Sequence, residues 1–198
     1  VKEIHKDNIK MGCNVITTNN YYVTPNILKR VGEEIRFEEL TQLSIDLAKE
    51  ASKDYEALIA GSFPPIETSF RPDLTPKDEA LSQFYSSIGS IMENEVDLII
   101  CETMSSIREG IQAASTAKQY SDRVWLSWTT RGLNGEALPS GESLIDAVNA
   151  ANELNIECQL INCSAMDIVT AQIDTLKLAG KFGLFANSCI LKNPINDL

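Results

Sequence analysis

Six short apolar runs recur along the chain, separated by stretches in which apolar residues return every three or four positions. The runs read CNVITTN from Cys13, ALIAGS from Ala57, DLIICET from Asp97, RVWLSWT from Arg123, ECQLINCS from Glu157 and FGLFANS from Phe182. Near-continuous apolar runs of this length suit parallel strands covered on both faces better than half-exposed hairpin strands. Between them the helical period takes over. From Lys77 to Asn94, Leu81, Phe84, Tyr85, Ile88, Ile91 and Met92 share one face, with Thr75 as N-cap and Pro76 in the first turn. Ser106 and Glu109 read as a capping box for a helix with Ile107, Ile111 and Ala114 on its inner face. Leu144, Ala147, Val148, Ala151 and Leu154 mark another, and Leu40, Leu43, Leu47 and Ala51 one more, behind a short helix opened by Thr24-Pro25 and closed by Gly32. Val169, Ile173 and Leu176 mark the last, ended by Gly180, and Lys2 to Lys10 reads as a polar helix in front. Strands alternating with helices predict an α/β chain with a parallel sheet. No linker or low-complexity tract divides it, so residues 1–198 are read as one domain.

The loops are asymmetric. Segments leaving the strands are long, as from Ser62 to Thr75 and from Thr130 to Ser140, while those leaving the helices are as short as Ser121-Asp122 or Asn155-Ile156. Parallel α/β proteins keep their sites at the carboxyl ends of the strands. Polar groups gather at that edge: Thr17-Thr18-Asn19, Gly61-Ser62, Glu102-Thr103, Ser127, Asn162-Cys163 and Asn187-Ser188. No G-x-G-x-x-G follows the first strand and no G-x-x-x-x-G-K-[ST] occurs, so an open nucleotide-binding sheet lacks its fingerprint. A (β/α)8 TIM barrel takes ~250 residues, and six strands fit a barrel short of about a quarter of itself.

Composition narrows the function class. With 17 Lys+Arg against 28 Asp+Glu the formal charge is −11, which disfavours nucleic acid and polybasic membrane contacts. No apolar run reaches the roughly 18 residues a membrane span needs, and no signal-peptide pattern opens the chain; a cytoplasmic protein is the expectation. The five cysteines, Cys13, Cys101, Cys158, Cys163 and Cys189, form no C-x-x-C pair, and His5 is the only histidine. A disulfide scaffold, a local zinc ribbon and a histidine-based triad are therefore disfavoured.

Glu102 ends Leu98-Ile99-Ile100-Cys101, and alternation puts it on the side of Leu98 and Ile100 with Cys101 facing away. A carboxylate there binds a cationic group, works as an acid or base, or caps a polar network. The same alternation puts Cys163 with Gln159 and Ile161 and turns Cys158 from it, leaving Cys163 as metal ligand, nucleophile or buried small hydrophobe. Thr18 and Tyr22, at i and i+4 beyond the first strand, offer hydroxyls to the mouth.

At these residues the sequence resembles the homocysteine S-methyltransferase family. The likeness runs through Val15-Ile16-Thr17-Thr18-Asn19-Asn20-Tyr21, Ala60-Gly61-Ser62-Phe63-Pro64-Pro65, Phe70-Arg71-Pro72-Asp73 and Asp97-Leu98-Ile99-Ile100-Cys101-Glu102-Thr103-Met104. It continues in Val124-Trp125-Leu126-Ser127-Trp128-Thr129, Ser140-Gly141-Glu142, Ile161-Asn162-Cys163-Ser164 and Ala186-Asn187-Ser188. The resemblance implies a (β/α)8 barrel that binds Zn2+ through three cysteine thiolates and methylates the thiol of homocysteine to give methionine. Carried over, Cys163 matches the first metal ligand, Glu102 the carboxylate holding the substrate amino group, and Thr18 and Tyr22 residues of the mouth, with Asn162 beside the metal. The methyl donor stays open among S-methylmethionine, S-adenosylmethionine, betaine and a methyl-cobalamin or folate partner.

The departures are specific. The family's other two ligands lie in a Gly-Gly-Cys-Cys motif, and no Cys-Cys pair occurs here. Cys189 stands where the family shows glycine. The family's first strand is missing too, so the runs correspond to strands 2 to 7 and the chain is expected to be a piece truncated at both ends and inactive alone. A metal-free barrel that binds a small amino acid without catalysis is the alternative; a barrel enzyme using Cys163 as nucleophile is a third.

Overall fold

The computed structural model describes residues 1–132 and 134–188. Its strands are β1 (Val15–Thr17), β2 (Leu58–Phe63), β3 (Leu98–Met104), β4 (Val124–Trp128), β5 (Cys158–Ala165) and β6 (Phe182–Asn187). They form a single six-stranded sheet in the order β1-β2-β3-β4-β5-β6, every pair parallel. A doubly wound sheet reverses its order at a switch point, whereas strict chain order, with each right-handed crossover passing over the same face, curls the sheet toward a barrel. Among the described residues β1 and β6 each have one strand neighbour, so the curl is an incomplete barrel.

The helices are α1 (Lys2–Lys10), α2 (Pro25–Lys29), α3 (Phe37–Ser52), α4 (Asp78–Met92), α5 (Ile107–Ala117), α6 (Leu144–Glu153), α7 (Met166–Ala171) and α8 (Ile173–Leu176). They bury the outward residues of the strands, among them Ile99, Cys101, Leu126, Trp128 and Ile161. The inward residues form a separate cluster of Ala60, Leu98, Ile100 and Leu160, with Leu58, Trp125 and Cys158 packed beside it. Two residues further along four strands, that apolar layer gives way to Ser62, Glu102, Ser127 and Asn162. The period-2 pleat carries them to the same interior, now at its carboxyl-end mouth. No helix among the described residues is long and apolar enough to cross a membrane.

Several local expectations give way to tertiary partners. Thr24 caps α2 as read, accepting from the Ile27 amide at 3.3 Å. Thr75 does not cap α4: the N-cap is Lys77, without a side-chain bond, and the Thr75 hydroxyl instead donates to Glu109 Oε2 at 3.1 Å. Ser106 accepts from the Glu109 amide at 3.3 Å, but the Glu109 carboxylate does not return the bond. It turns inward to take the Ile66 amide at 3.2 Å and so clamps the long loop after β2. On α3 the buried face is Phe37, Thr41, Ser44, Ile45, Ala48 and Ala51, while Leu43 is exposed. Packing against both α1 and α4 rotates the helix off the leucine stripe. The last helical stretch breaks at Gln172 between α7 and α8, and the Gln172 amide reaches the Asn134 carbonyl at 2.6 Å.

Candidate functional site

The mouth of the curl is shaped by two matching irregularities. In β3 the pairing with β4 shifts between Cys101 and Met104, and Thr103 takes φ +60°. In β5 the pairing with β6 shifts between Asn162 and Ala165, and Cys163 takes φ +53°. Left-handed backbone is costly for residues with a Cβ, and Thr103 and Cys163 hold it only because neighbours bind them there. Each kink adds a second inward side chain to its strand. Glu102 and Thr103 face the mouth together, and so do Asn162 and Cys163.

Strict alternation therefore misplaces Cys163. Gln159 and Ile161 do lie on the helix side, where Gln159 accepts from Trp128 Nε1 at 3.0 Å and Ile161 joins the helix-packed core. Cys163 leaves that side because of its left-handed turn: its Sγ lies 3.8 Å from Thr103 Oγ1 and 3.4 Å from Asn162 Nδ2. Cys158, by contrast, packs in the interior layer. Burial pushes the Cys163 thiol up from its ordinary value, offset in part by the Thr103 hydroxyl and reinforced by Glu102.

Asn162 holds the arrangement together. Its Oδ1 accepts from the Thr103 amide at 3.1 Å and from the Ser127 hydroxyl at 2.8 Å, and its Nδ2 donates to Thr103 Oγ1 at 2.7 Å. With the Cys163 contact, both donors and both acceptor positions are used. Asn162 orients its neighbours, and its amide is engaged by them on both sides.

Glu102 is the opposite case. The Ser62 hydroxyl donates to Oε1 at 2.5 Å, and Oε2 has no hydrogen-bond or ion-pair partner among the described residues. Burial raises this carboxyl above its ordinary value, with the Ser62 bond pulling the other way. A half-buried carboxylate with one oxygen unpaired is receptive to a cation.

Thr18 reaches the mouth, but its hydroxyl serves the frame. It accepts from the Ser62 amide at 2.9 Å and donates to Asn20 Oδ1 at 2.6 Å, while Asn20 Nδ2 donates to the Ser62 carbonyl at 2.9 Å. Tyr22 stays outside this network at 54% exposure, its ring edge-on to Tyr21. Tyr21 is the tyrosine that turns in. Its hydroxyl lies 2.5 Å from Ser69 Oγ, and burial lifts its pKa, with the Ser69 and Thr103 hydroxyls beside it opposing. Sequence spacing missed Tyr21 and Ser69; the only signal was the Tyr21-Tyr22 pair itself, since the turn after β1 follows no period.

A curled parallel α/β sheet that gathers a carboxylate, a thiol and hydroxyls at its carboxyl-end mouth defines a barrel-type protein. The particular family follows from comparison. The sequence model described as Homocysteine S-methyltransferase matches residues 1–195, and the chain belongs to that family. It is 24% identical over 120 residues to betaine--homocysteine S-methyltransferase 1 of Danio rerio, covering 60% of this chain and 30% of that protein. To the Mus musculus protein of the same name it is 23% identical over 188 residues, covering 90% of this chain and 45% of that one. The chain thus spans less than half the length of these curated relatives. The metallated form of the homocysteine methyltransferase MmuM from Escherichia coli superposes with a TM-score of 0.77 at 24% identity, over 96% of this chain and 80% of that one. That likeness shows the fold.

Proposed function

We propose that the protein to which these residues belong transfers a methyl group to the thiol of homocysteine, giving methionine. The observation that carries this is the pairing, at one mouth, of a half-buried, half-satisfied carboxylate, Glu102, with a thiol, Cys163, turned inward by a left-handed kink. Family membership supplies the substrate class; the mouth supplies a place for its two ends. Glu102 Oε2 receives the substrate ammonium, and a charge-assisted bond in that half-buried setting contributes about 1.5–3 kcal/mol. Arrival of the cation favours the ionised carboxylate and reverses the effect of burial. Asn162 keeps Thr103 and Cys163 in their strained conformations, Thr18 holds the β1–β2 frame under Ser62, and Tyr21 and Ser69 wall the mouth, with Tyr22 on the exposed side of that wall.

Zinc belongs to the proposal for the whole protein, with Cys163 as one ligand. The described residues do not complete such a site: among them no group of three His, Cys, Asp or Glu is placed to hold a metal ion. Cys101 is buried toward the helices, Cys158 begins the strand that Cys163 nears the end of, and Cys13 is exposed ahead of β1. Cys189 lies outside the described residues. The completed eight-stranded barrel, the methyl donor and a cytoplasmic setting are part of the same proposal.

The test is to assay the full-length protein for bound zinc and for methionine formed from homocysteine with each donor in turn. Stoichiometric zinc and methionine from at least one donor are expected. Homocysteine binding without methylation under any donor would favour the non-catalytic amino-acid-binding barrel. Absence of homocysteine binding would overturn both.

A further inference from the structure

A cleft of about 580 Å3 opens on the carboxyl-end side between the loop after β2 and the loop after β4, lined by Phe70, Arg71, Asp73, Arg131, Pro139 and Ser140. Both walls are fixed to one buried residue. Ser105, just past β3, accepts the Phe70 amide on its hydroxyl at 3.2 Å and the Ser140 amide on its carbonyl at 3.1 Å. The second wall is tied again at Glu142, whose Oε2 takes the Ile107 amide at 2.9 Å and the Ser140 hydroxyl at 2.6 Å. Phe70 carries φ +64°, and that turn lets Ser69 meet Tyr21 at the mouth while Arg71 enters the cleft.

The charge of this cleft runs against that of the chain. The protein carries −11 overall, yet two guanidinium groups and one carboxylate line the cleft, and the Glu142 carboxylate behind Ser140 is taken up by the Ser140 hydroxyl and the Ile107 amide. Asp73 engages Arg71 through Nε at 2.8 Å and Nη2 at 2.6 Å, which fixes the plane of the guanidinium and leaves its Nη1 edge unused. The Arg131 guanidinium has no hydrogen-bond or ion-pair partner among the described residues, while its backbone is fixed by paired bonds with Ala137 at 2.8 and 3.3 Å. Oriented guanidinium forks match planar or tetrahedral oxyanions, and the Phe70 ring and Pro139 supply an apolar wall beside them.

We propose that this cleft is a second ligand site, binding an oxyanion, carboxylate or phosphate, carried on an apolar or aromatic body. It shares the 69–71 turn with the Glu102–Cys163 mouth and does not depend on what that mouth binds. The experiment is calorimetric titration of the protein with benzoate and with phenyl phosphate, repeated for Arg131→Gln, Arg71→Gln and, as a control far from the cleft, Arg36→Gln. Saturable binding weakened about tenfold or more by Arg131→Gln and by Arg71→Gln, and unchanged by Arg36→Gln, is expected. The tighter of the two probes then tells carboxylate from phosphate. Because the Arg131 side chain supports no other described group, its replacement leaves folding intact. Absence of saturable binding for both probes, or wild-type affinity in Arg131→Gln, overturns the proposal.

Discussion

The side-chain amide of Asn162 satisfies both polar groups of Thr103, taking its backbone N–H at 3.1 Å and donating to its hydroxyl at 2.7 Å. The two residues stand on strands separated by β4, so one amide bridges the kinks that shape the mouth. Asn162→Ala would leave the Thr103 amide and the Ser127 hydroxyl buried without partners. A loss of about 2–4 kcal/mol is expected, read as a lower urea midpoint at unchanged m-value. An unchanged midpoint would mean that the kinks are held by something other than this amide.

Glu102→Gln keeps the shape of the mouth and its bond with Ser62 but removes the charge that receives an ammonium. Homocysteine affinity in the full-length protein is expected to fall about 10- to 100-fold, appearing chiefly in KM. Equal affinity in wild type and variant would remove Glu102 from substrate binding.

Glu109 tests the clamp on the loop after β2. Burial raises its carboxyl above the ordinary value of 4.5, against hydrogen bonds from Ile66, Thr75 and Tyr85. Between the unfolded and folded pKa the native state holds a proton that the unfolded chain releases. The resulting stabilisation is full below the unfolded value and is lost as pH rises through the folded one. Plotted against pH, the stability of wild type relative to Glu109→Gln should therefore decline from about 4.5 upward. A rising or flat difference curve would contradict the buried clamp.

Gly110 fits α5 against β4. A Cβ at that position would lie 2.5 and 2.8 Å from the Trp128 ring and 3.3 Å from Met104 Cβ, and Trp128 is wholly buried. Gly110→Ala is expected to destabilise by about 1–3 kcal/mol through overpacking, despite its better helix propensity. Thermal denaturation decides, and a stabilised variant would show that the indole can move aside.

The apolar runs, read without any partner in view, begin within two residues of every strand in the sheet, from Cys13 for β1 to Phe182 for β6. Their legibility has a physical reason: a parallel strand covered on both faces must be apolar nearly throughout. The polar edge was legible in part, from the long loops after β2 and β4. The expectation of long connections fails after β3, where only Ser105 and Ser106 precede α5, and after β5, which runs directly into α7. What local pattern could not show is where a side chain goes once a distant partner competes for it. Thr75 abandons a cap for Glu109, Glu109 abandons the capping box for Ile66, and α3 rolls away from Leu43 to suit two neighbouring helices.

The candidate site divides in the same way. The sequence by itself determined that Glu102, Asn162 and Cys163 sit at strand ends on one edge, because the spacing of the runs leaves nowhere else for them. Only the tertiary structure decided which way they face. Alternation holds while φ stays extended, and it fails at Thr103 and Cys163, where the left-handed backbone turns a second side chain inward. The Asn162 amide reaches across two strands to bind the Thr103 backbone and touches the sulfur of its own neighbour Cys163. The tertiary structure likewise decided that Tyr21 rather than Tyr22 turns in, since that depends on a hydroxyl at Ser69, 48 residues along the chain, that no local period encodes.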